Sequence, residues 1–369
     1  MPGRKALHRR RGRRIALAIV GLWLCQRALA ADTFRLFPPS EISPLLETDP
    51  PSFRLSLTDR AGSEGLAGFL FPAALECFPA GGFREAELPF PPDSASVRDP
   101  NRLGMLLVTL GVLGGSAFSA LGVDHEPESF HLADEGFFER DEYSGGADKA
   151  SHFVFYNGLA RELGVTFGRM GYSRDRALWM GAGVAVLAGT LVEAGDGLTV
   201  FGFAWEDLLL DALGAGTAVV ITRYGLDDLI GFRFGKVSAE IPDACCQFEG
   251  VGKDYSTEIY TADLKLEGAA RRLRLHPGLA RFLLFSMTYG SKGYRYSFED
   301  VRQRNIGIEL GLNVAQILTE IGVRDTTWWG RGLFIVANFF RIPFTSAGFY
   351  YDLNHKRWSG PNNGQVFAQ

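Results

Sequence analysis

Three apolar segments between positions 148 and 216 constrain the fold more than any other feature of this sequence, because acidic and imidazole groups recur in them at helical spacing. Residues four apart share one face of a helix, and two such pairs occur here, Asp148 with His152 and Asp207 with Asp211. A third pair, in which both residues are acidic, is Glu193 with Asp196, where the middle segment gives way to glycine. Since short connections place successive helices side by side, we expect the three pairs to meet at one end of a bundle.

The same residues give the chain a family resemblance. The motifs are D-K-x-x-H-F from Asp148, E-x-x-D-G from Glu193, and a third block that runs from Trp205 through Asp207 and Asp211 to Gly214. Their order resembles the YfiM-like family of bacterial envelope proteins, a domain of unknown function, over roughly residues 130 to 235, and more weakly the VanZ-like membrane proteins. The resemblance implies a helical fold in the cell envelope and no settled activity. It also implies Asn at position 211, so a role for that amide does not carry over to Asp211.

Composition and charge narrow the class of protein. The chain has 369 residues, of which 46% are hydrophobic, enough for a substantial core. Eight of its 38 basic residues lie in the first thirty positions, so 30 basic residues face 42 acidic ones in the remainder. So acidic a body argues against nucleic acid as a partner. The glycines form no phosphate loop ending in Lys-Ser or Lys-Thr, which argues against a nucleotide.

The first thirty residues have the three parts of an export signal. A basic run extends to Arg14, an apolar run follows to Leu24, and small residues precede Ala31, where we expect cleavage. We therefore predict a protein of the periplasm, or one associated with a membrane of the cell envelope. Cys25 follows two bulky residues, Trp23 and Leu24, which argues against a lipid-modified cysteine there.

Three cysteines would remain after cleavage, namely Cys77, Cys245 and Cys246. An oxidising compartment allows Cys77 to pair with either of the other two, and three reduced thiols are the alternative. A bond between the adjacent cysteines would strain the backbone and ranks last. With no further Cys or His at ligand spacing nearby, this region predicts no metal site.

The run from Gly104 to Val123 has twenty residues without a charge, long enough to cross a bilayer as a helix. A crossing here would send the acidic loop 124–148 to the cytoplasm and the arginines between 161 and 176 outward, which inverts the usual charge distribution. Two arrangements therefore stay open: a bundle in the periplasm or against a membrane face, and a four-pass bundle.

After Gly225 the hydrophobic period changes from helix to strand. Apolar and polar residues alternate from Tyr260 to Leu266 and from Asn305 to Val314, and roughly five strands are predicted in all. We predict an α+β protein, with a bundle of about four apolar helices followed by a small antiparallel sheet. The predicted organisation is a signal peptide at 1–30, an irregular Pro/Phe-rich region with short strands at 31–100, the helical bundle at 101–226 and a β-rich region at 227–369.

The candidate site is the polar set of the three segments: Asp148, Lys149, His152, Glu193, Asp196, Asp207 and Asp211. These groups suit a divalent cation, or an acid/base pair in which His152 titrates. The structural alternative has Asp148 and Asp207 cap their helices and Glu193 pair with His152 through a buried hydrogen bond. Lys149 is then a solvated or ion-pairing residue, or one that holds an anionic headgroup.

Two functional hypotheses follow. The first is a non-enzymatic envelope scaffold or binding module whose apolar faces contact membrane lipid or another envelope protein. The second is a membrane-associated enzyme in which His152, Glu193 and Asp207 act on a lipid or cell-wall intermediate, with or without a metal. The sequence specifies no cofactor, substrate or choice of membrane.

Overall fold

The computed structural model describes residues 100–122, 128–236, 255–256, 258–294 and 302–362. The predicted export signal, nearly all of the predicted Pro/Phe-rich region, and Cys77, Cys245 and Cys246 lie outside these residues. The cleavage site, the disulfide pairing and the domain boundaries therefore stay predictions.

Four long helices form a bundle: α1 Arg102–Gly122, α2 Ala147–Arg169, α3 Arg174–Asp196 and α4 Trp205–Arg223. Helices α2, α3 and α4 contact one another, and α1 packs on α3. Only a few residues separate α2 from α3 and α3 from α4, so each pair is antiparallel. The start of α2, the end of α3 and the start of α4 therefore lie at the same end of the bundle.

Small residues allow the helices of the bundle to approach closely. A Cβ atom at Gly181 of α3 would lie 2.6 Å from the backbone nitrogen of Gly164 on α2, and one at Gly214 of α4 would lie 2.3 Å from the backbone oxygen of Phe153. Any larger side chain would force these backbones apart. The alanines and glycines of the sequence therefore set the distances between helices.

The segment before α2 crosses the end of the bundle that carries the polar residues. Its short strand β1, Leu132–Ala133, pairs in parallel with β2, Phe203–Ala204, which leads directly into α4. Backbone hydrogen bonds link His131 to Gly197 and Phe203 on either side of the turn after α3. This pairing holds an acidic segment of the chain over the site.

The carboxyl-terminal half forms one six-stranded antiparallel sheet in which each strand pairs with the next along the chain. Its strands are β3 Ile230–Lys236, β4 Glu258–Lys265, β5 Leu283–Lys292, β6 Gln303–Leu312, β7 Ser346–Asp352 and β8 Arg357–Asn362. Helix α5 and a short 3₁₀ helix connect β4 to β5, and α6 and α7 connect β6 to β7; their bounds are Leu266–Arg272, Gly278–Phe282, Val314–Glu320 and Trp328–Phe339.

This architecture confirms the predicted α+β class. The sixth strand, β8, was not predicted because Gly360 and Pro361 interrupt its pattern, and Pro is tolerated only on an edge strand such as this one.

The sheet is inverted relative to the usual rule, because its polar face is buried and its apolar face is exposed. On β6 the side chain of Glu309 is buried, whereas Ile306, Ile308, Leu310 and Leu312 are exposed. The neighbouring strands continue both faces in register. We call the exposed side the apolar sheet face, and its exposed residues are Leu264, Phe285, Met287, Ile306, Ile308, Leu310, Leu312, Phe349 and Trp358.

The buried face is held by two ion pairs. Arg233 donates to both oxygens of Asp263, at 2.5 and 3.0 Å, and Ser286 donates to the same carboxylate at 2.6 Å. Arg341 donates to both oxygens of Glu309 at 3.0 Å. Bidentate geometry of this kind supplies the hydrogen bonds that a buried charge needs.

Two of the described helices, α1 over Arg102–Ala120 and α3, are long and apolar enough to cross a membrane by length and composition. Helix α1 is largely exposed and α3 is about half buried. Helices α2 and α4 carry most of the buried charges of the site, and α3 contributes Glu193 near its end.

Candidate functional site

His152 lies at the centre of a buried group of charges contributed by three helices. Its Nδ1 atom is 2.8 Å from Asp211 Oδ1 and 3.9 Å from Glu193 Oε1. Its Nε2 atom is 3.8 Å from Asp148 Oδ1 and 4.0 Å from Asp207 Oδ1. We call the set Asp148, Lys149, His152, Glu193, Asp207 and Asp211 the polar cluster.

Lys149 is the second cation of the polar cluster, and its side chain is fully buried. Its Nζ atom is 2.9 Å from Asp207 Oδ1 and 3.5 Å from Asp148 Oδ2, and it also donates to Glu135 of the segment that crosses the bundle end. Burial opposes the charge, but these three carboxylates outweigh it and raise the pKa of Lys149. Lys149 is therefore an ion-pairing residue, and the alternative of a solvated Lys149 is wrong.

Several contributors to the site were missed by the sequence analysis. Glu135 reaches Lys149 from outside the three apolar segments, and the hydroxyl of Tyr255 donates to Asp148 from just before β4. The ring of Tyr156 stacks on His152 with a centroid distance of 6.0 Å. Only tertiary contacts bring Glu135 and Tyr255 to the polar cluster. The one signal in the sequence was that Glu135 belongs to the acidic loop 124–148.

The structural roles predicted for individual acids need correction. Gly146 and Ala204 occupy the N-cap positions of α2 and α4, so Asp148 and Asp207 lie inside the first turn and do not cap. At 3.9 Å, Glu193 and His152 are also too far apart for the predicted hydrogen bond.

Glu193 and Asp196 also fix the local backbone at this end of the bundle, the first through its side chain and the second through its backbone oxygen. Glu193 accepts a hydrogen bond from the backbone of Ala204 at 3.3 Å, which ties the end of α3 to the start of α4. Asp196 shapes the turn after α3, where its backbone oxygen accepts from Thr199 and Gly202.

His152 is a cation in this environment. Burial lowers its pKa, but Asp148 and the hydrogen bond to Asp211 outweigh burial and raise the pKa to about 10. Asp148 responds in the opposite direction, because His152 and Lys149 overcome its own burial and lower its pKa.

The remaining acids hold their protons more tightly than usual. Burial raises the pKa of Glu193 to about 8 and that of Asp196 to about 6, with His152 acting against the rise in both. Burial also raises the pKa of Asp207, despite His152 and Lys149. Asp211 Oδ2 is buried without a hydrogen-bond partner among the described residues, and burial raises the pKa of Asp211 as well. The site thus contains more acids than cations and retains protons near neutral pH.

The cluster has the donor atoms of a metal site, and its imidazole carries a proton that a metal would have to displace. Asp148, His152 and Asp207 offer ligand atoms within 4.8 Å of one another, and so do His152, Glu193 and Asp211. Imidazole binds a metal only after it loses a proton. A cation bound at Nε2, with Asp148 and Asp207, would displace a proton from His152 but leave the contact between Nδ1 and Asp211 in place, whereas one bound at Nδ1, with Glu193 and Asp211, would break that contact. The arrangement found here supplies its positive charge from His152 and Lys149.

The outer surface of the bundle exposes large apolar side chains on each of its helices. Trp179 and Leu187 on α3 are each 55% exposed, Phe155 on α2 is 52% exposed, and Leu213 on α4 is 46% exposed. Helix α1 adds an exposed set consisting of Leu103, Leu106, Leu107, Leu110 and Phe118. Apolar residues exposed singly are common, whereas contiguous apolar surface marks an interaction site.

Comparison with known proteins gives one family match. A model described as predicted periplasmic lipoprotein (DUF2279) matches residues 134–223, the part of the chain that carries the polar cluster. Neither the curated proteins nor the solved structures give a match. The match supports an exported, envelope-associated protein with a domain of unknown function. It does not specifically support the YfiM-like or VanZ-like resemblance, and it does not distinguish the inner from the outer membrane.

Proposed function

We propose that this chain is a non-enzymatic, membrane-associated envelope protein whose apolar outer surfaces contact lipid and whose polar cluster holds the helices in register. One observation carries the proposal: the sheet and the polar end of the bundle enclose ionic networks, while both the sheet and the bundle expose apolar side chains on the outside. Water favours the reverse arrangement by about 25 cal/mol per Å² of apolar surface. A hydrocarbon surrounding removes that cost, because lipid chains are as apolar as leucine.

The contacts within the polar cluster support a structural role. Asp148, Lys149 and His152 from α2 contact Asp207 and Asp211 from α4, so these two helices cannot slide or rotate without breaking several charge pairs. Removing one partner from a buried pair typically costs 3–5 kcal/mol. Fixing the register of the helices is therefore a sufficient role for the polar cluster, and it requires no catalysed reaction.

Flotation with vesicles tests the proposal. The purified mature chain, diluted out of detergent into phosphatidylcholine vesicles, should rise with them in a density gradient. Leu187→Asp places a charge on the exposed apolar side of α3 and should weaken membrane binding by roughly 3 kcal/mol, or about 100-fold. The control Leu279→Asp changes an 82% exposed leucine in the short 3₁₀ helix, outside the apolar sheet face, and should float like wild type.

A chain that stays at the bottom of the gradient as a soluble monomer without detergent would overturn the proposal. Sedimentation as a defined oligomer would also overturn it, because a second copy would then cover the apolar surface in place of lipid.

The second candidate function is an enzyme, and one observation favours it. Glu193 and Asp196, with pKa values of about 8 and 6, lie near a cationic histidine, and perturbed acids of this kind cluster at catalytic sites. Metal analysis with thermal melts of His152→Ala and Glu193→Ala separates the two functions. Intact folding with loss of a bound metal would favour the enzyme, and loss of the fold would favour the scaffold.

A further inference from the structure

A groove of about 440 Å³ lies between the bundle and the apolar sheet face. Its bundle wall consists of Ala150, Phe153 and Val154 of α2 and Leu210 of α4. Its sheet wall includes Ala262, Met287, Ile306 and Ile308, and Trp358 and Phe138 also line it. The groove falls within the usual size range of small-molecule sites, roughly 300–1,000 Å³.

The chemistry of the walls selects a hydrocarbon occupant. The hydroxyl of Tyr260 already donates to Glu258, and that of Tyr289 donates to the backbone of Gly145. A peptide in the groove would bring backbone N–H and C=O groups, each of which needs a hydrogen-bond partner. An alkyl chain needs none, so a peptide segment is disfavoured and an alkyl chain fits.

A positive charge lies at one end of the groove. Arg304 precedes Ile306 by two positions on β6 and so lies on the same face of the sheet. It donates to the backbone oxygen of Phe138, which itself lines the groove, and to Asn354 Oδ1 at 2.9 Å. Both acceptors are neutral, and within the described ranges no carboxylate lies at ion-pair distance from Arg304. Among the described residues, the guanidinium charge at this end is therefore not compensated by an acid.

We propose that the groove binds one acyl chain of an anionic phospholipid, with the headgroup phosphate on Arg304. This inference rests on the proposed function, since the groove is continuous with the apolar sheet face, which that proposal places in contact with lipid. It adds a specific site: the groove would hold one lipid more tightly than the surrounding surface does. Arginine suits this role because its planar fork matches the geometry of phosphate.

The test counts the lipids retained by the full chain. Protein reconstituted into phosphatidylcholine vesicles, with or without phosphatidylglycerol, is extracted into mild detergent and examined by native mass spectrometry. Wild type should retain one phosphatidylglycerol. Ile308→Trp, which fills the groove, should lose it, whereas Leu312→Trp on the same face of the same strand lies outside the groove and should keep it. Ala262→Leu fills the groove with a smaller change and guards against misfolding of the larger variant.

Charge is tested separately. Arg304→Gln should weaken phosphatidylglycerol retention about fivefold and leave phosphatidylcholine unchanged, as expected for loss of one basic contact with an anionic lipid. Arg302→Gln is the control, because Arg302 is two positions from Arg304 in the sequence and its guanidinium packs over the ring of Tyr294.

The inference is overturned if Ile308→Trp and Ala262→Leu retain as much phosphatidylglycerol as the wild type does. It is also overturned if Leu312→Trp loses as much phosphatidylglycerol as Ile308→Trp does, because the lipid would then bind only to the general surface. Either result in protein that still floats with vesicles leaves the proposed function standing. A wild-type chain that does not float refutes the proposed function itself.

Discussion

Replacing Lys149 by methionine tests whether the polar cluster holds the bundle together. The change keeps most of the side-chain volume and removes a fully buried cation that lies within 3.5 Å of carboxylate oxygens of Asp148 and Asp207 and also contacts Glu135. Because these carboxylates lose their partner inside the protein, we expect the free energy of unfolding to fall by about 3–5 kcal/mol at pH 7. For a folded region of this size each kcal/mol is worth about 2–4 °C, so Tm should fall by roughly 6–20 °C.

Thermal melts in a mild nonionic detergent, followed by near-ultraviolet circular dichroism, measure this loss. The control is Arg223→Met at the end of α4, whose ion pair with Asp175 is exposed and 3.8 Å long and should contribute at most about 1 kcal/mol. Lowering the pH should shrink the penalty of Lys149→Met, because the stranded carboxylates then take up protons. The double variant with Asp207→Asn should recover part of the loss. A Tm within 2 °C of wild type at pH 7 would refute the structural role of the cluster.

Three further predictions concern single positions. Glu193→Gln should remove a pH dependence of stability, because the pKa of Glu193 in the folded protein, about 8, lies above its ordinary value of 4.5. The wild type therefore loses up to about 5 kcal/mol of unfolding free energy as the pH rises from 4.5 to 8. Denaturant titrations at about pH 8.5 should find the variant more stable than the wild type. Gly181→Ala should lower the free energy of unfolding by about 1–3 kcal/mol, because its Cβ meets the backbone of α2. Gly183→Ala on the same helix has open space around its Cβ and should be neutral or slightly stabilising in thermal melts. Arg341→Met should cost about 3–5 kcal/mol in the same melts by stranding Glu309, and equal stability would show that this pair is dispensable.

Much of the fold could be predicted from the sequence because its periodicities are strong. The helical spacing of Asp148 with His152 and of Asp207 with Asp211 gave the faces of α2 and α4, and the alternation around Ile306 and Ile308 gave β6. Periodicity shows that a strand has two unlike faces, however, and does not show which face is covered. The burial of Glu309 opposite exposed isoleucines depends on what surrounds the sheet, which the pattern does not contain.

The candidate site was predictable in its helical members and not in its neighbours. The meeting of three helix ends followed from short connections, so His152 and its acids could be grouped before their distances were known. Individual pairings depend on differences in distance of about 1 Å: His152 Nδ1 lies 2.8 Å from Asp211, within hydrogen-bond reach, and 3.9 Å from Glu193, beyond it. Glu135 and Tyr255 reach the site from irregular segments, which have no periodic pattern from which a contact could be predicted.

The central claim, that the exposed apolar faces contact lipid, is tested most directly by fluorescence quenching at Trp358. This residue is 68% exposed on the apolar sheet face, and replacing the other tryptophans by phenylalanine isolates its emission. In vesicles of phosphatidylcholine brominated on the acyl chain, we predict strong quenching of Trp358 and little quenching by aqueous iodide. Quenching by iodide with no response to the brominated chains would place the face in water and contradict the account.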